Sequence, residues 1–269
     1  MLASLAAGII GTYIVVKRMS LIAGSVAHAA FGGLGISYYL GLNPLMGAIV
    51  FSLLASSSVA LFRKKARNRL DTLLSALWAT GMAVGLVFMF LTPGYAADLF
   101  SYLFGNILLV STVDLALIVT LDLVIILAVI LMYNPFLAVA FDEEYAVVRN
   151  IPVLAVDLIL FGLIALTVVT IIRVVGIVLM IALLTMPAAV AQLFHKTMKG
   201  MMVTASLITL FATVSGLFIS YLINFGPGPI IVLIVSLLYI ASIGVSQLRG
   251  RRHRERPSQD SRSRTIESG

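Results

Sequence analysis

Apolar runs close to twenty residues long recur from one end of the chain to the other, broken by short polar or Gly/Pro stretches. That length carries an α-helix across the hydrocarbon of a bilayer. The runs are continuously apolar rather than alternating, so they do not suit the strands of a membrane barrel. They cover 2–16, 21–40, 45–62, 72–91, 113–133, 153–172, 176–194, 201–222 and 230–248. The first is short for a crossing, which leaves room for a few residues upstream. It has no basic stretch before it and more spans behind it, so it does not read as a cleaved signal. Residues 98–110 (DLFSYLFGNILLV) are apolar but too short to cross, and predict a re-entrant half-helix.

One segment breaks the pattern. Within 134–152 (NPFLAVAFDEEYAVVRNIP), Asp142, Glu143, Glu144 and Arg149 crowd between two greasy runs. The spacing predicts a complete short helix. Asp142 suits the N-cap, and Glu143 and Glu144 place negative charge against the positive end of the helix dipole. Arg149 falls in the last turn, Asn150 suits the left-handed position after it, and Pro152 blocks continuation. Such a helix is either presented to a partner or merely solvated, and its residues alone leave both readings open.

Composition then settles the class. Apolar residues make up 61% of the 269 and charged ones 11%, with a mean hydropathy of +1.12, far outside the soluble range. The net charge of +7 is concentrated in 249–269, where seven arginines face Glu255, Asp260 and Glu267, a balance of +4 that leaves +3 for the body. Positive-inside topology accounts for this better than nucleic-acid binding. The 249–269 stretch is rich in Arg and Ser and reads as a disordered basic cytoplasmic tail behind a 1–248 membrane domain. With that tail inside, counting backwards puts His195, Lys196, Lys199 and the 134–152 segment on the same side. The 63–69 basic cluster joins them only if 98–110 does not cross. The prediction is an all-α polytopic membrane protein of about eight transmembrane helices plus one half-helix, with its N-terminus outside. No cysteine is present, so disulfides and thiolate chemistry are excluded.

Few residues in the spans carry chemistry. Gly24, His28 and Gly32 share one helical face, with Ser25 beside them. Small residues there either allow close packing or leave room for a path. An imidazole among them faces protein or water rather than lipid, and suits borderline divalent cations. A lone His is also a common packing residue. Asp114 and Asp122 either line a cation path, or respectively cap a helix and hydrogen-bond a neighbour. Asp157 and Arg173 sit near span ends, where snorkelling lowers their cost. Pro187 interrupts the bond to the Leu183 carbonyl and predicts a kink. No P-loop, H-E-x-x-H or G-x-S-x-G motif occurs, so ATP hydrolysis, if used, comes from another polypeptide.

Three stretches together resemble the permease subunits of divalent-metal (zinc, manganese or iron) ABC importers, the ABC-3 family. They are MSLIAGSVAHAAFGG ending at Gly33, FDEEYAVVRNIP ending at Pro152, and VGIVLMIALLTMPAAVA ending at Ala191, with LFGNILLV ending at Val110 as a fourth. In many members an Asp stands four residues before the span-two His, where this chain has Gly24, and the usual Gly of the cytoplasmic loop is Asn150. The resemblance implies a homodimer in the cell membrane of a prokaryote, one cytoplasmic ABC ATPase per permease, and an external metal-binding protein. It makes 142–152 the coupling helix, with Asp142, Glu143, Glu144, Tyr145, Ala146, Arg149, Asn150 and Pro152 in contact with the ATPase. His28, Ser25, Asp114, Asp122 and Pro187, read from the spans themselves, are the candidates for the path, with His28 as a transient metal ligand. The chain itself would bind no cofactor and catalyse no reaction, the metal being cargo. The alternatives are an ion-coupled secondary transporter, an ABC permease for chelated iron or cobalamin, and a membrane enzyme built on His28 and Asp114.

Overall fold

A computed structural model describes residues 2–65, 69–92, 102–105 and 110–254. Eleven helices follow one another among them: α1 Leu2–Val16, α2 Ser20–Tyr39, α3 Pro44–Lys65, α4 Leu70–Leu91, α5 Thr112–Leu131, α6 Tyr133–Phe141, α7 Glu143–Val148, α8 Val153–Val175, α9 Ile177–Phe194, α10 Met198–Ile223 and α11 Pro227–Arg254. Eight are long and apolar enough to cross a membrane, as expected, and α1 is a shorter apolar helix beside them. Helices satisfy every internal backbone group within themselves, which is what hydrocarbon demands.

α1 still runs through the bundle, antiparallel to α10: Ser4 meets Thr213 and Gly8 meets the Ser206 backbone. With α1 included, the described helices pass nine times between a charged end, marked by Lys17, Arg63 and Asp157, and a far end. The half-helix expected over 98–110 lies mostly outside the described residues, as do Asp98, Asn106, Arg67 and the 255–269 part of the tail. α11 continues into the basic tail as far as Arg254.

α2 lies at the centre, with 15 of its 20 residues buried, whereas in α4 only Leu74, Gly85 and Met89 are. Glycines let its neighbours come close. A Cβ on Gly81 of α4 would strike the His28 carbonyl of α2 at 2.5 Å, and one on Gly35 of α2 would strike the Gly85 carbonyl at 2.6 Å. The small face of α2 is therefore a packing surface filled by α4 and, through Gly33 and Gly47, by α3. Phe90 on α4, Val113 and Ile130 on α5, and Leu237 on α11 point outward, where lipid rather than water is the matching solvent.

At the far end, 102–105 docks against the corner between α8 and α9. Gly105 (φ 77°) and Gly176 (φ 88°) face each other there, and a Cβ on either would run into the other's backbone.

α6 was not foreseen. Pro135 stands in its first turn, where the missing N–H costs nothing.

Candidate functional site

α7 is built as its residues dictate. The Asp142 carboxylate accepts from the Tyr145 N–H at 2.9 Å. At the other end Ile151 N–H donates to the Ala146 carbonyl (3.0 Å) and Asn150 N–H to the Val147 carbonyl (2.9 Å), a Schellman closure with Asn150 at φ 57°. Arg149 Nε donates to the Tyr145 hydroxyl at 2.9 Å and its guanidinium lies over that ring. Glu144, Asn150 and Pro152 are exposed.

One side of this helix is open. Tyr145, Val147 and Val148 are exposed, Val148 to 81%, as is Phe141 at the end of α6. Of the eight residues expected to meet a partner, Glu143 is half-buried and Ala146 alone is buried. It is fully buried, in the same core as Phe136 and Val139, so it seats α7 on its own protein.

Beneath α7 lies an ionic network that local sequence did not reveal. Lys17 Nζ stands 2.8 Å from Asp157 and 3.8 Å from Glu143. The Arg63 guanidinium reaches Asp157 at 3.1 Å and Glu143 at 2.5 Å. The side chains of Lys17 and Asp157 are only 3% and 7% exposed. Asp157 therefore does not snorkel but is a buried carboxylate held by two cations. Two positive and two negative charges close on themselves, the condition under which burial is tolerable. A cleft of about 230 Å³ bordered by Val16, Arg18, Phe141 and Glu143 opens beside it.

Inside the bundle, His28 is buried and stacked on Trp78 of α4, with ring centroids 4.3 Å apart and 22° between planes. Trp78 also covers Gly24. His28 Nδ1 has no hydrogen-bond partner among the described residues. The Ser25 hydroxyl donates back to the Leu21 carbonyl, and Pro187 is buried within α9.

The two aspartates of α5 differ. Asp114 does not cap its helix; Ser111 does, accepting from the Asp114 N–H at 3.1 Å. The Asp114 carboxylate instead pairs with Arg173 of α8, whose guanidinium stacks on Tyr102 at 4.3 Å. Asp122 is fully buried near Thr170, and its carboxyl oxygens have no hydrogen-bond partner among the described residues. The structure thus does not join His28 to Asp114: one is held by Trp78 and the other by Arg173. Among the described residues no three His, Cys, Asp or Glu side chains converge as a metal site. The groove of about 700 Å³ between α1, α5 and α10 is lined largely by aliphatic residues and contains none of the expected path residues.

A family model described as the ABC 3 transport family matches residues 1–246. The chain belongs to that family. Among ABC 3 relatives, an uncharacterized membrane protein of Synechocystis is 45% identical over 90% of this chain and 86% of its own. The manganese import system permease protein ScaB of Streptococcus parasanguinis is 32% identical over 89% of this chain and 85% of its own. Among solved structures, PsaBC from Streptococcus pneumoniae in complex with Fab superposes with a TM-score of 0.81 at 32% identity, covering 90% of this chain and 87% of that one. The ABC 3 match spans the membrane body and stops where the arginine-rich tail begins.

Proposed function

We propose that this protein is the permease subunit of an ATP-driven importer for a divalent transition-metal ion, zinc, manganese or iron. It works as a homodimer in a prokaryotic cell membrane, with a separate ABC ATPase inside and a metal-binding protein outside. The observation that supports this best is α7: a capped helix at the charged end, seated by Ala146 and exposing Tyr145, Val147 and Val148 beside Phe141 of α6. An apolar face of that kind fits a groove in a protein partner, and the family membership and the manganese permease relative support an ATPase partner and a metal cargo. In this reading the charged end and the tail are cytoplasmic.

Of the path candidates, His28 and Asp122 keep polar atoms without hydrogen-bond partners among the described residues, whereas Ser25 is bonded within its own helix and Asp114 is occupied by Arg173. A path with few strong ligands suits an importer whose capture step is delegated outside, since tight binding would slow release. The eight long helices run unbroken, unlike the discontinuous helices that secondary carriers use at the midplane.

The test is reconstitution in liposomes with the ATPase and the external binding protein. Manganese, zinc and iron uptake is measured with and without ATP, and in competition. Uptake that requires both ATP and the ATPase is expected; uptake by the permease alone would overturn the reading.

A further inference from the structure

Covalently, α7 is tied only to α6 and, through 149–152, to α8. α8 itself packs on α2, the central helix that carries His28, and on α3. The ionic network adds a charged tie that joins the first residue of α7 to α3 as well. Glu143 is the first residue of α7, Arg63 stands near the end of α3, Lys17 follows α1, and Asp157 lies in the first turns of α8. α3 in turn meets α2 where Gly33 and Gly47 leave no room for a Cβ. Backbone contacts of that kind pass on a displacement rather than absorb it.

We propose that Arg63 is a positioning residue, and that with Lys17, Asp157 and Glu143 it forms a strut transmitting the motion of α7 to α3 and so to the His28 helix. The proposal rests on α7 being the helix that the ATPase moves.

Three features fit a strut rather than a casual surface pair. Arg63 contacts both carboxylates through different nitrogens, and a planar guanidinium can bridge them in a fixed geometry. Lys17 and Asp157 are almost fully enclosed, so the base of the strut is weakly screened. The Lys17 position is itself set by a tight turn: Arg18 takes φ 56°, and Met19 N–H closes onto the Ile14 carbonyl at 2.8 Å. Glycine would adopt this left-handed conformation more cheaply than Arg18 does, and the turn leaves Lys17 in contact with Asp157.

The experiment uses the complete transporter in liposomes and reads metal moved per ATP hydrolysed. Arg63→Gln is expected to co-purify with the ATPase in the wild-type ratio and to hydrolyse ATP, while metal moved per ATP falls about five-fold or more, the scale of ordinary site-to-site coupling. Arg63→Lys should recover part of it. The chain has no cysteine, so Arg63→Cys with Glu143→Cys, joined beside a cysteine-free ATPase by a short bis-methanethiosulfonate that forms a reducible disulfide with each thiol and releases methanesulfinate, replaces the charges by a covalent tie. Cross-linking should restore the ratio, and reduction should lose it again. An unchanged ratio in Arg63→Gln would overturn the proposal, as would loss of ATPase binding in step with transport, or a cross-link that stops transport. If the wild-type transporter moved metal without the ATPase, the functional reading itself would fail instead.

Discussion

Asp114 shows how much a single residue's role depends on what lies opposite it. From sequence it reads as a helix cap or a path ligand; in the fold it neutralises Arg173, 59 residues away. Arg173→Gln strands a carboxylate that is only 8% exposed. Stranding a buried charge costs about 3–5 kcal/mol, so a lowered unfolding temperature in detergent is expected. Adding Asp114→Asn removes the stranded charge and should recover most of that loss. If Arg173→Gln alone is as stable as wild type, the pair is not holding α5 to α8. Asp157 teaches the same lesson. A lone carboxylate near a span end reads as snorkelling, because its partners Lys17 and Arg63 are 140 and 94 residues distant. No local pattern encodes that meeting.

At the scale of elements, α7 was legible because capping is local chemistry: Asp142, Asn150 and Pro152 each act within a few residues of their own position. Which face α7 turns inward was not, since that is decided by α6 and α8 packing beneath it. α6 was missed for a related reason: the apolar run reads as ending at 133 and the next helix as starting at Asp142, while Pro135 sits harmlessly in a first helical turn between them. The burial of Ala146 and the exposure of Val148 separate two substitutions on one short helix. Val148→Glu should abolish co-purification with the ATPase while leaving thermal stability within about 0.5 kcal/mol of wild type, as surface changes usually do. Ala146→Arg should instead lower the unfolding temperature of the permease alone, because it forces a cation into the core under α7. Equal stability losses in both would mean that α7 has no free face.

For the whole molecule, the membrane-crossing helices could be read directly from their length and continuous apolarity, since lipid leaves the chain few alternatives. The close approach of α2 to α4 could not, because Gly81 and Gly85 gain meaning only from what they face. The family motifs lie on α2, α7 and α9, the helices that carry His28, the exposed handle and Pro187. The account as a whole stands on the side of the membrane at which α7 emerges and on what covers it there. With no native cysteine to interfere, Val148→Cys can be challenged with a membrane-impermeant maleimide in intact cells and in inside-out vesicles, with and without the ATPase. The account predicts labelling only in the vesicles, and protection once the ATPase is bound. Labelling from outside intact cells, or labelling that the ATPase leaves unchanged, would contradict it.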